Sequence, residues 1–125
     1  MRLIFLLASL TFSGFTIAST INIECTYDRI ATAKAFSKLD KPIIETFILN
    51  TATNKAFKVE DSKKIEVHYI PSETHELMTF LQITESQTVN VTSYSTYQKS
   101  AVKSSNLAFL GELIATQIYG TCKIK

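Results

Sequence analysis

The chain has 125 residues and a mass of 14.0 kDa, the size of one domain, which excludes a multidomain enzyme. Lys and Arg number 13 against 11 Asp and Glu, and a net charge of +2 is too weak a field to attract nucleic acid. Hydrophobic residues at 46% with 19% charged are globular proportions, so a core can form and wholesale disorder is excluded.

In chain order, the first segment reads as a signal peptide over residues 1–18. Arg2 supplies a positive charge, Leu3 to Leu10 is an apolar run, and Thr16 and Ala18 are small residues before a cut at or near Ala18. A permanent membrane anchor needs about 20 consecutive apolar residues, and Ser9, Thr11, Ser13 and Gly14 interrupt this run. No cysteine stands at the junction to carry a lipid. The expectation is a single β domain over residues 19–125, nearly neutral once Arg2 is removed, periplasmic or secreted, with no permanent membrane anchor.

The rest reads as strands. Ile21, Ile23 and Cys25 alternate with Asn22 and Glu24, a period of two. Arg29 to Leu39, rich in Ala and Lys between Asp28 and Pro42, resists the pattern and leaves open a short helix capped by Asp28 as an alternative to strand. Ile43 to Leu49 and Ala56 to Glu60 form a hairpin around a Thr-, Asn- and Lys-containing turn. Ile65, Val67 and Tyr69 alternate with Glu66 and His68 up to Pro71. Leu77 to Ile83 is apolar on both faces, Leu77, Leu81 and Ile83 on one and Met78 and Phe80 on the other. Val89 to Tyr94 alternates, Val102 to Phe109 is another run, and Gln117 to Ile124 is the last. Leu107 to Ile114 fits either helical spacing or two strands with a tight turn at Gly111. With only Gly111 and Gly120 in the mature domain, most turns must be made by Asn, Asp, Ser and Lys.

Cys25 and Cys122 lie near opposite ends of the mature domain, and in an oxidising compartment two such cysteines are expected to pair, two buried thiols being the alternative. About eight strands in an antiparallel meander bring the first beside the last, so the bridge would staple an all-β small barrel; a two-sheet sandwich is the alternative. The run Gly111-Glu112-Leu113-Ile114-Ala115-Thr116-Gln117-Ile118-Tyr119-Gly120-Thr121-Cys122 after Ser104-Ser105 resembles the tail of small exported bacterial β proteins of unknown function, which also open on a cysteine-bearing strand. The resemblance implies the bacterial periplasm and no particular activity.

Chemical motifs do not emerge. There is no GxSxG, HExxH, Walker or GxGxxG pattern and no CxxC. Glu66 and His68 share a strand face, and His75 lies between Glu73 and Glu76, but neither set reaches the three or four ligands zinc needs. Asn90-Val91-Thr92 matches a glycosylation sequon on a Thr-rich strand. No catalytic residue, metal or cofactor is therefore expected. Function is left to surface: Met78 and Phe80, beside Tyr94, are the candidate partner-binding patch, with a barrel strand buried on both sides as the alternative. The expectation is a protein-binding or inhibitory module whose partner is another exported or envelope protein, with a small-ligand or lipid-binding β-barrel as the alternative.

Overall fold

The computed structural model describes residues 19–74 and 76–125, so the signal-peptide expectation and His75 lie outside the described residues. Eight strands follow one another: β1 (Thr20–Thr32), β2 (Phe36–Asn50), β3 (Lys55–Glu60), β4 (Lys63–Pro71), β5 (Leu77–Ile83), β6 (Val89–Ser95), β7 (Ser100–Phe109) and β8 (Glu112–Ile124). Each pairs antiparallel with the next, and β8 pairs antiparallel with β1, so the meander closes on itself. Closure, not a two-sheet sandwich, removes the exposed edges that such β-rich segments would otherwise present.

The end where β1 begins is called the lower end, and the end where it finishes the upper. Turns are made largely without glycine. Asn54, Asp61, Ser62 and Lys99 all have positive φ, between 47° and 64°, and Asn and Asp tolerate that region better than most residues. Asp61 and Ser62 together link the Glu60↔Lys63 pair, and Leu110 and Gly111 link Phe109↔Glu112. Both are two-residue loops with two left-handed residues, the twist that suits a hairpin.

No helix forms among the described residues. Residues 29–39, for which the sequence leaves a short helix open, finish β1, turn through 33–35 and begin β2, with Ile30 facing Ser37 on β2 and Ile118 on β8. The Ala and Lys content favours helix only weakly, and pairing on both sides of β1 satisfies more backbone groups than an isolated turn of helix would. Residues 107–114 likewise become the ends of β7 and β8 around the Leu110-Gly111 turn, with Leu107 facing Ile114.

The pairing of β1 slips between Tyr27 and Arg29 against both neighbours. Against β2 the slip spans Leu39 to Pro42, where a proline without an N–H is tolerated because the ladder is already interrupted. Against β8 it draws the β1 backbone over Gly120, where a Cβ would collide with the Thr26 carbonyl oxygen and lie 2.6 Å from Tyr27 Cα. Gly120 is thus required by close backbone approach.

Cys25 and Cys122 face each other across β1 and β8, 4.0 Å apart at Cα, and are disulfide-bonded. The Cys122 amide donates to Lys99 on the far side, so toward β1 the pair belongs to the narrow, non-hydrogen-bonded class. The bridge sits inside the barrel, closing the seam between the first and last strands, and a buried disulfide is compatible with an oxidising compartment.

Candidate functional site

Strand alternation divides the barrel interior into two layers. On six strands an inward residue of the lower layer is followed, two positions further up, by a more polar one. Cys25 gives way to Tyr27, Phe47 to Glu45, Ala56 to Lys58, Phe80 to Gln82, Tyr94 to Thr92 and Ala101 to Lys103. The lower layer packs by apolar contact. Phe47 stacks on Phe80 with centroids 4.3 Å apart, and Tyr69 tilts against Phe80 at 5.4 Å.

The upper layer is one hydrogen-bonded network around Glu45. Its Oε1 accepts from Lys58 Nζ and Lys103 Nζ, both at 2.8 Å, and its Oε2 accepts from the Tyr27 hydroxyl at 3.0 Å. Lys58 also donates to Glu60 at 2.6 Å and to Gln82 at 3.3 Å. The Gln82 oxygen is reached in turn by Asn90, whose own oxygen accepts from Ser105 at 2.7 Å. No buried side-chain nitrogen or oxygen among the described residues lacks a partner. A network of this kind tolerates burial because every member is bonded. Burial alone would push the Glu45 carboxyl up, but the two lysine ammoniums outweigh it and hold it below its ordinary value. Burial likewise disfavours the Lys58 charge, and Glu45 and Glu60 outweigh that, holding it above its ordinary value. Tyr27, buried and facing the Glu45 carboxylate, is pushed well above the usual phenol range.

The lower end is open and apolar. Leu49, Tyr69 and Met78 floor a cavity of about 480 Å³, with Thr51, Asn54 and Glu73 at its rim. That volume lies in the range of small-molecule sites, roughly 300 to 1,000 Å³. Burial pushes the Tyr69 hydroxyl above its ordinary value, in keeping with its apolar surroundings.

The candidate patch of Met78, Phe80 and Tyr94 is not on the surface. The three are 7%, 2% and 3% exposed and point into the barrel. Strand β5 is apolar on both faces, so its composition did not indicate which face turns inward; barrel closure buries Met78, Phe80 and Gln82 and leaves Leu77 and Ile83 43% and 62% exposed. Of the three, Met78 joins the floor of the lower cavity, and Phe80 packs against Tyr69, its pairing partner on β4. Glu66 and His68 alternate with the buried Val67 on β4 and face outward; among the described residues no three His, Cys, Asp or Glu side chains gather as a metal site. Asn90 of the sequon is engaged with Gln82 and Ser105 inside the barrel.

The upper network escaped the sequence reading, although its signal was present. Glu45 is in phase with Phe47 and Leu49, and Lys58 with Ala56; a charged residue in phase with core residues on two adjacent strands points to an internal ion pair. Comparison with protein families, curated proteins and solved structures finds no match for the chain.

Proposed function

We propose that this chain is an exported, disulfide-stapled β-barrel that holds a small apolar or amphipathic ligand, such as a lipid fragment, in its lower mouth. The observation that carries the reading is the cavity of about 480 Å³ floored by Leu49, Tyr69 and Met78, an apolar recess with a few polar groups at its rim. The buried Cys25–Cys122 bridge supports export, and the resemblance of the tail to small exported bacterial proteins supports the periplasm. The reading is one of binding and assigns no catalytic step.

Titration of the purified, oxidised protein with the apolar fluorophore N-phenyl-1-naphthylamine tests it. Saturable enhancement that Met78→Trp abolishes is the expected result; no saturable enhancement, or enhancement indifferent to Met78→Trp, contradicts it. A second reading, a protein-binding or inhibitory module acting on an envelope partner, is favoured by a different observation: the outer face of β5, where Leu77, Leu81 and Ile83 run beside Val89 and Val91 of β6. Under that reading Ile83→Glu weakens capture of the partner and leaves fluorophore binding intact.

A further inference from the structure

Above the closed barrel one hairpin stands by itself. Strand β1 ends at Thr32, paired with Thr116 of β8, and β6 begins at Val89, paired with Asn106 of β7. The pairs Leu107↔Ile114, Ala108↔Leu113 and Phe109↔Glu112 lie beyond both flanking strands, so residues 107–115 form a two-stranded ribbon with no third strand beside it among the described residues. At roughly 3.4 Å per residue the run from Thr116 to Glu112 reaches about 14 Å along the strand, or about 10 Å above the barrel once the strands tilt.

The composition of this ribbon is ill suited to water. It reads Leu-Ala-Phe-Leu-Gly-Glu-Leu-Ile-Ala, with Glu112 its one charge. Leu110, Leu113 and Ile114 are 88%, 74% and 46% exposed. Leu113 and Ile114 are successive residues of β8 and stand on opposite faces of the ribbon. Leu110 crowns the turn at φ 50°, a conformation uncommon for leucine. A two-stranded hairpin is marginally stable at best in water, and the fold gains nothing by holding a strained leucine outside it. Strain and apolar exposure at one tip point to a function there.

We propose that residues 107–115 dock the protein reversibly on a phospholipid bilayer, with Leu110, Leu113 and Ile114 entering the interface. Shape and area select this occupant. Apolar groups on both faces and at the tip would oblige a protein partner to wrap the whole ribbon. The three side chains offer about 100 Å² each, roughly 300 Å² together, against about 800 Å² per partner in a stable complex. A bilayer encloses whatever enters it, and interfacial elements sit about 5 to 10 Å deep, the height of this ribbon. With no third strand to pair its outward backbone groups, the ribbon suits the hydrated interface and does not span. Because Glu112 beside the tip is negative, apolar insertion and not charge drives the contact. The ribbon lies at the opposite end from the lower mouth, and the proposal does not depend on the reading given for that mouth.

The test is co-sedimentation of the oxidised protein with sucrose-loaded phosphatidylcholine vesicles, residues 1–18 being removed so that Leu3 to Leu10 cannot itself bind lipid. Saturable binding is expected and should persist in about 1 M sodium chloride, where charges are screened within about 3 Å. Leu113→Ser and Leu110→Asn should each weaken it roughly tenfold, the partition effect of burying one leucine. Ile83→Ser, which removes an exposed side chain from the barrel wall instead, should leave it unchanged. Glu112→Gln should tighten it at least about threefold, since a carboxylate resists entry into lipid. Asn suits the positive φ at position 110, so unfolding does not account for a loss in that variant. No co-sedimentation, release by salt, undiminished binding by Leu110→Asn, equal weakening by Ile83→Ser, or no gain in Glu112→Gln overturns the proposal. A lipid-free dimer that Leu110→Asn returns to monomer overturns it as well, by assigning the ribbon to a second copy of the chain.

Discussion

The two layers of the barrel interior are built on the same strands, a few residues apart, yet are held together differently. In the lower layer Phe47, Phe80, Tyr94 and Leu49 are buried by the hydrophobic effect and shape fit, which do not depend on protonation. In the upper layer Tyr27, Glu45, Lys58 and Lys103 are held by charge and hydrogen bonds, which do. The contrast teaches that closing a barrel dictates which side chains face inward without dictating that they be apolar. The apolar layer supplies most of the stability, while the charged layer fixes which partners meet, since a buried ion pair contributes little net stability yet is costly to break.

Removing a group from each layer separates the two. Phe80→Ala should cost about 3 to 5 kcal/mol, by the same amount at pH 5 and pH 8, in chemical denaturation. Glu45→Gln should cost a similar amount, about 3 to 5 kcal/mol at neutral pH, because Lys58 and Lys103 lose their shared carboxylate. Its loss is pH-dependent, and the signs follow from the shifts. Glu45 is held below its ordinary 4.5, so its contribution is present above that value and is lost as pH falls through the lowered folded value. Lys58 and Tyr27 are held above their ordinary 10.5 and 10.0, so their contributions are present below those values and are lost as pH rises beyond them. Wild-type stability should therefore decline in acid below about pH 4.5 and in alkali above about pH 10, and Glu45→Gln should flatten the acid decline attributable to this cluster. Equal acid profiles would show that the charged layer does not hold the upper barrel.

The seam beside the two layers gives the next effects. Cys25→Ser should cost roughly 2 to 5 kcal/mol, and intact mass should rise by about 2 Da on reduction of the wild type, as two hydrogens are gained. A variant melting with the oxidised wild type would show the seam closed by its ladder alone. Gly120→Ala forces the β1 backbone away from Thr26 and should cost about 1 to 3 kcal/mol or more. At the upper rim Leu110 is 88% exposed with φ 50°, so Leu110→Asn should stabilise by about 0.5 to 1 kcal/mol, read as a raised melting midpoint.

Period-two alternation made most strands legible, and the terminal cysteines made closure legible, because a bridge between the first and last strands of a meander implies a ring. Alternation was silent on phase where both faces were apolar. In β5, Leu77, Leu81 and Ile83 compete with Met78 and Phe80, and only closure of the whole sheet decides between them. It was silent as well where local composition opposed the tertiary outcome, as at residues 29–39, whose strand state rests on pairing with β8 residues almost 90 positions away, Ile30 with Ile118 among them. The charged layer was readable only by taking polar residues in phase with the core as seriously as apolar ones. The lower cavity was not readable, since Leu49, Tyr69 and Met78 meet only through strand register.

The difference between the two ends is tested most directly by one fluorescence titration with N-phenyl-1-naphthylamine, run on the wild type, Met78→Trp at the lower mouth and Leu113→Ser at the exposed upper rim. The account predicts saturable binding by the wild type and by Leu113→Ser and its loss in Met78→Trp, with all three proteins melting cooperatively. Binding that survives in Met78→Trp, or that Leu113→Ser removes instead, would contradict it.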